Sequence, residues 1–289
     1  MSLIFTEELH KGFAQSFAVK GPMLVDERSD FQHIMIFDAP AVGRVLVLDQ
    51  IVQLTTRDEC AYSEVLVHLP YFELAANGIT SSRGLVIGGG DGAVAEEFLK
   101  HRSIEMADMA EIDPKVIEHC KKYLPSVHNG AFDNPRLKLR VMDGAAFIRE
   151  PAQIGSFDII VADRPDPVGP AKVLFMDEFY SAVANAMKPH GIAIFQTGVP
   201  HFQPDELKET LEQLSRSFKY CGVVLTVVPT YVGGYMGLTW ASNGTRLGDA
   251  SYDAVAAAYA RSRISTDYYN PDIHRSALAL PNWVKKLIA

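Results

Sequence analysis

The chain has 289 residues, 48% of them hydrophobic and 21% charged, with a formal net charge of −8. That is an ordinary globular balance, long enough for one large α/β domain and a smaller partner, and its acidic excess argues against a nucleic-acid ligand and suits cationic ones. No apolar run nears the roughly 18 residues of a membrane span, residues 1–8 lack the pattern of a secretory leader, and Cys60, Cys120 and Cys221 form neither a disulfide framework nor a zinc pattern, so a cytoplasmic setting is expected.

Residues 1–56 are expected to form a small all-β domain and residues 57–289 the larger one. Residues 16–19, 23–27, 33–37 and 44–48 are short strand-like runs, punctuated by Gly21-Pro22, Ala39-Pro40 and Gly43. From Asp58 the period changes. Residues 61–76 space Tyr62, Val65, Leu66 and Leu69 for one face of a helix.

Next comes Leu85-Val-Ile-Gly-Gly-Gly-Asp-Gly-Ala93, a buried strand that ends in a glycine turn and leads into a helix-type run from Val94. Gly88, Gly90 and Ala93 fit the G-x-G-x-x-G/A spacing by which a strand–turn–helix unit holds a nucleotide-like ligand. Residues 106–112 contain Glu111, about 20 residues past the glycines, where a carboxylate can accept hydrogen bonds from ribose hydroxyls. Residues 137–142 run into Asp143-Gly144, and residues 157–162 into Asp163-Arg-Pro-Asp-Pro167. Four successive strands thus finish in an acid or the glycine turn. Open α/β sheets bind ligands outside the carboxyl ends of their strands, so these groups are expected to converge. Taken singly, each acid has a plainer role, as a cap on the helix that follows.

A helix over 175–187 stopped by Lys188-Pro-His-Gly191, a fifth strand over 192–197, a helix over 204–218 and an antiparallel pair over 223–229 and 235–242 complete the order. Residues 248–289 add one more helix and a tail. Five alternating β/α units with a terminal hairpin are the order of a class I methyltransferase-like, Rossmann-like α/β sheet. The histidines, His68 and His101 among them, show no metal spacing and are expected as surface or core residues, with no metal.

Further motifs are Gly43-Arg-Val-Leu-Val-Leu-Asp49 with Gln53, Arg57-Asp-Glu59 with Tyr62 and Glu64, Glu111-Ile-Asp113, Asp163-x-x-Asp-Pro-Val-Gly-Pro170, Pro229-Thr-Tyr231 and Tyr268-Tyr-Asn-Pro271. Together with the glycine turn, these stretches resemble the polyamine aminopropyltransferases, bacterial-type spermidine synthases in particular, along nearly the whole chain. The resemblance implies transfer of an aminopropyl group from decarboxylated S-adenosylmethionine, a co-substrate rather than a resident cofactor, to putrescine or a related amine. The released nucleoside is 5′-methylthioadenosine. An attacking amine with a pKa of roughly 10.4 arrives mostly protonated, so a carboxylate must take its proton and hold it in line.

The resemblance gives that role to Asp163. It puts Glu111 on the ribose, Asp143 and Gly144 at the adenine, and Gln32, Gly88, Gly90 and Pro170 around the nucleoside. Asp91 and Asp166 would hold cationic amines, with Gln53, Tyr62, Ser63 and Tyr231 along the amine channel. A packing role is the alternative for Tyr231, and a helix start is expected of Asp113. A homodimer or homotetramer is implied.

The chain departs from the family pattern at Phe5, Gln50, Thr56, Ser63 and Arg164-Pro165. Arg164 opens a second function: a guanidinium could pair with the carboxylate of intact S-adenosylmethionine, in a transferase that moves an aminocarboxypropyl or methyl group to an amine. A non-catalytic nucleoside- or polyamine-binding relative is a third. A cation beside Asp163 would weaken it as a base, so Arg164 is expected to point to solvent or to another subunit. An NAD dehydrogenase fits the glycine turn but not the loop from Asp163 to Pro170.

Overall fold

The computed structural model describes residues 3–165 and 169–289, and for 169–171 the backbone alone. Among these residues the strands form three sheets. β1 (Ile4–Glu7) pairs with β2 (Gln15–Ala18), and β3 (Lys20–Arg28), β4 (His33–Ala39), β5 (Gly43–Leu48) and β6 (Ile51–Thr55) form an antiparallel sheet. Alternation along these strands buries Ile34, Ile36, Leu46 and Leu54 against Val116 and Val127 of the larger part. The opposite face buries Met35, Phe37, Val45 and Val47 against Phe5 and Phe17. Two strands carry no strong sequence signal. β1 has four residues, and β6 follows β5 through Asp49-Gln50, both at positive φ (47° and 71°) without the glycine that usually marks such a hairpin turn.

The central sheet holds parallel β7 (Arg83–Gly88), β8 (Met106–Glu111), β9 (Leu137–Val141), β10 (Phe157–Asp163) and β11 (Met187–Gln196). Antiparallel β12 (Tyr220–Thr226) and β13 (Met236–Ser242) complete the order β12-β13-β11-β10-β7-β8-β9. Helices α1 (Cys60–Ala76) and α2 (Ala93–Lys100) pack on one face; α3 (Pro114–Tyr123) and α4 (Pro125–His128) meet the β3–β6 sheet. The other face takes α5 (Gly144–Ile148), α6 (Asp177–Ala186) and α7 (Pro204–Ser217). The chain closes with α8 (Tyr252–Ser262), α9 (Pro271–Ala277) and α10 (Asn282–Leu287).

Along β10, Ile159 and Val161 face α1, while Ile160 and Ala162 face α6. All four are fully buried, which for side chains as large as Val or Ile stabilises by roughly 1.5–3 kcal/mol apiece. α6 ends at Ala186, ahead of Lys188 to Gly191 as expected of a helix stop, but the strand expected from 192 already begins at Met187, and a register shift between Phe157 and Ile159 absorbs the extra residues. The helix expected from 175 begins at Asp177, after a 3-10 turn over Gly169–Phe175. No helix among the described residues is long and apolar enough to cross a membrane.

The C-terminal stretch is tied to α1 by a buried acid. Glu64 accepts the backbone N–H groups of Asp267, Tyr268 and Tyr269 at 2.7, 2.9 and 2.6 Å. His68 and His101 are core residues, 3.0 Å apart, and burial lowers both pKa values so that the rings stay neutral.

Candidate active site

Strand order reverses between β7 and β10, the place where open α/β sheets leave a crevice. The glycines build the site there by what they leave out. Gly88 lies opposite Asp163 in the β7–β10 ladder at φ +83°, and a Cβ on it would sit 2.0 Å from the Asp163 carbonyl oxygen. A Cβ on Gly90 would press on Val116 Cγ1 at 2.8 Å and on the Glu111 carboxylate at 3.1 Å. The first glycine therefore lets β10 close on β7, and the second makes room for Glu111. At the start of α2, Asp91 Oδ1 already accepts the Ala93 N–H at 2.7 Å, so that helix end serves a carboxylate of the chain itself.

A cavity of about 370 Å³ opens over this point. Its wall includes Gln32, Gln53, Tyr62, Ser63, Gly88, Gly90, Asp91, Glu111, Asp143, Gly144, Asp163 and Tyr231. Asp166 lies outside the described residues, as does the side chain of Pro170. Glu59, Tyr62 and Ser63 are spaced i, i+3, i+4, which sets them on one face at the start of α1. Tyr62 donates its hydroxyl to Asp163 Oδ1 at 2.7 Å, and Tyr231 donates to the Gln53 carbonyl. The two tyrosine rings meet edge to face with centroids 6.0 Å apart, so Tyr231 both packs and lines the cavity.

The acids divide their two oxygens between local and distant work. Asp113 caps α3 through Oδ1, as its sequence position implies, while Oδ2 accepts from Ser29 Oγ at 2.6 Å and Gln32 Nε2 at 2.9 Å. It thereby holds Gln32 at the cavity. Asp143 caps α5 and also faces the cavity, so the capping and site roles coexist. Glu111 Oε1 accepts the Asp113 N–H at 2.8 Å.

Burial, reinforced by the charge of Asp91, pushes the Asp163 carboxyl up to about 7, against the pull of the Tyr62 hydroxyl. Glu111 is raised to about 7 by burial and by the charge of Asp113. Glu59 is raised to about 8, first by burial and then by the charges of Asp91, Glu97 and Glu64, against the pull of the Ser63 hydroxyl. Burial raises Asp91 as well. Such a wall calls for a cation. Among the described residues, no cluster of three or more His, Cys, Asp or Glu side chains could hold a metal ion.

Arg164 overturns the expectation of an outward guanidinium. It is 2% exposed, donates from Nε to the Gln196 carbonyl at 3.1 Å and from Nη1 to Tyr180 Oη at 2.9 Å and the Leu174 carbonyl, and stacks on Phe175 at 3.6 Å. The reason is the period of two. Asp163 continues the side of Ile159 and Val161, and Arg164 continues the side of Ile160 and Ala162, against α6. Its Nε and Nη1 are committed to that side, and the charges that act on Asp163 are those of Asp91 and Glu111, both negative.

Residues 59–248 match the model of the spermine/spermidine synthase domain, and residues 3–56 that of the spermidine synthase tetramerisation domain. The chain belongs to the spermine/spermidine synthase family. A polyamine aminopropyltransferase of Ruegeria sp. is 43% identical over 98% of this chain and 97% of its own length, and that of Shigella boydii is 39% identical over 98% and 96%. A crystal structure of a spermidine synthase with the transition-state analogue AdoDATO superposes with a TM-score of 0.91 at 33% identity, over 99% of this chain and 94% of that one. The spermidine synthase of Thermotoga maritima gives a TM-score of 0.90 at 33% identity, with the same coverage.

Two residues of this family member stand at the cavity or support its wall without having been expected there from the sequence. Asp58 accepts the Thr230 N–H and hydroxyl, both at 2.8 Å, and the Thr55 hydroxyl at 2.6 Å, which sets the loop that presents Tyr231. Glu59 lines the cavity itself. Their signal was the Arg57-Asp-Glu59 motif, with Glu59 four residues before Ser63.

Proposed function

We propose that the cavity transfers the aminopropyl group of decarboxylated S-adenosylmethionine to putrescine or a related amine, with Asp163 as the base. As a member of its family the chain is an aminopropyltransferase. Glu111 accepts from the ribose hydroxyls; Gln32, Asp143, Gly144 and the glycine turn enclose the nucleoside. Asp91 takes the ammonium of the donor arm. The acceptor lies between Tyr62 and Tyr231, whose ring faces suit a cationic chain, with Gln53 and Ser63 beside it. Its amine gives a proton to Asp163 and bonds to the carbon next to sulfur. The carbon–sulfur pair stays on sulfur, and neutral methylthioadenosine leaves without needing an acid.

The observation that carries the donor is the charge of the wall. A donor carboxylate would sit among Asp91, Glu59 and Asp163, and the one lysine or arginine lining the cavity among the described residues, Arg164, gives Nε and Nη1 to Gln196, Leu174 and Tyr180. That disfavours intact S-adenosylmethionine. A carboxyl near neutral pKa, in contact with a tyrosine inside the cavity, supports catalysis over mere binding. To test the function, each sulfonium donor is offered to the purified protein with a panel of amines, and products are identified by mass. Methylthioadenosine and spermidine from the decarboxylated donor are expected; consumption of the intact donor alone would reverse the assignment.

Two results follow from the site. Glu111→Ala should weaken methylthioadenosine binding by roughly 1.5–3 kcal/mol, because charge-assisted bonds to ribose are lost. Unchanged affinity in calorimetry would place the nucleoside elsewhere. The acceptor kcat/KM should rise through pH about 7, as Asp163 loses the proton that blocks it as a base. The stability sign is opposite. With its pKa raised from an ordinary 3.8, Asp163 binds more protons folded than unfolded, so its contribution to the unliganded protein's stability falls as pH rises toward about 7.

Residues 1–56 and 57–289 serve as two domains, the first joining subunits into a homotetramer, with a homodimer as the alternative. The family model over 3–56 and the exposed Leu3 and Ile4 (55% and 60%) support this, and light scattering tests it. The unpaired cysteines suit a cytoplasmic enzyme.

A further inference from the structure

One carboxylate of the cavity wall has no part in the chemistry above. Glu59 stands just before α1, half-buried, beside Ser63. Ser63 Oγ lies 2.8 Å from Glu59 Oε2 and 3.0 Å from the Glu59 carbonyl oxygen. A serine hydroxyl has one hydrogen. If it goes to the carbonyl, the carboxyl must supply the hydrogen of the other contact, which accommodates protonated Glu59. If it goes to the carboxylate, the ionised form is accommodated. The pair can therefore hold either state without moving.

Other acids of the wall are engaged. Glu7 accepts the Val52 N–H at 2.7 Å, Asp49 the His33 N–H at 2.8 Å, Asp143 caps α5, and Glu111 accepts the Asp113 N–H at 2.8 Å. The charges that act on Glu59 are those of Asp91, Glu97 and Glu64, and of these Asp91 alone lines the cavity. Arg164, the one lysine or arginine in the described wall, spends Nε and Nη1 on Gln196, Leu174 and Tyr180. No lysine or arginine is among the charges that act on Glu59, so the ammonium of a ligand would supply a cation beside Asp91.

We propose that Glu59, held by Ser63, is a second carboxylate for the terminal ammonium of the donor arm, shared with Asp91, and that it selects an amine-ended arm against one that carries a carboxylate. This rests on the donor proposed above. The ammonium enters charged, Glu59 releases its proton to solvent, and no covalent bond changes. Ser63 is then a positioning residue, holding Glu59 Oε2 at 2.8 Å at the cavity wall.

The test compares two unreactive nucleosides by calorimetry. 5′-Deoxy-5′-(3-aminopropylthio)adenosine carries the arm and its amine; methylthioadenosine lacks both. Glu59→Gln should weaken the first by roughly 10- to 100-fold and leave the second unchanged. Proton release on binding the first, read by repeating the titration near neutral pH in buffers of different ionisation enthalpy, should shrink in Glu59→Gln. Ser63→Ala, which keeps the carboxyl, should show a smaller loss of the same kind. Equal losses for both nucleosides in both variants would mean a structural role only, and no loss for the amine-bearing one would mean no contact. Either result overturns the proposal while leaving wild-type turnover intact. A wild type that binds neither nucleoside would instead sink the donor assignment itself.

Discussion

Asp163→Asn is expected to lower turnover by about 10²–10⁴ while methylthioadenosine binds as before. The amide keeps the shape of the carboxyl and can still accept the Tyr62 hydroxyl at the oxygen now 2.7 Å away, so folding and ring placement are preserved. It cannot accept a proton from an ammonium. Two contributions disappear together, removal of that proton and the in-line hold on the attacking nitrogen, and both act on the reacting amine alone. The pH profile separates this from a general disturbance. The rise in kcat/KM through about 7 belongs to Asp163 and should vanish in the variant, leaving the dependence set by the amine. Near-full turnover, or an unchanged rise, would mean that another group is the base.

Arg164→Ser should cost about 2–4 kcal/mol of stability in denaturant unfolding and leave the choice between the two sulfonium donors unchanged. The serine cannot reach the Leu174 and Gln196 carbonyls or the Tyr180 hydroxyl, and it abandons the face of Phe175. Each buried group left without its partner costs about 1–3 kcal/mol, less where water enters the space. Turnover should fall as well, because the bond from Arg164 to Leu174 joins the residue after the base to the 3-10 turn that leads into α6. Donor choice should not move, because Nε and Nη1 are spent on Gln196, Leu174 and Tyr180 rather than on the cavity carboxylates. A variant as stable as the parent would mean that these bonds are replaced at no loss. A shift in donor ratio toward or away from intact S-adenosylmethionine would show that Arg164 does reach the arm.

Several parts of this protein were legible in local sequence. Leu85 to Ala93, the acids at Glu111, Asp143 and Asp163, and the change of period after Asp58 are properties of short stretches, so strand, turn and helix assignments came close to the observed β7, β8, β10 and α1. The acids converge because parallel strands end on one side of a sheet, which follows from connectivity alone. β6 was not legible, since the turn before it uses Asp49-Gln50 in a backbone conformation that a sequence usually announces with glycine.

Residue types and their order along the chain determined the α/β class, the family motifs and most of the cavity wall. Only the tertiary structure decided what each polar group does there. Asp163 and Arg164 are neighbours in sequence, yet the pleat sends one to α1 and the other to α6, and the expectation of an outward arginine failed because β10 is buried on both faces and leaves no solvent side to point to. The protonation of Asp163, Glu111 and Glu59 likewise depends on burial and on charges brought close by other elements, chiefly Asp91 for Asp163 and Glu59, and Asp113 for Glu111. Those quantities sum over neighbours in space, so they exist only once the sheet and α1 have come together.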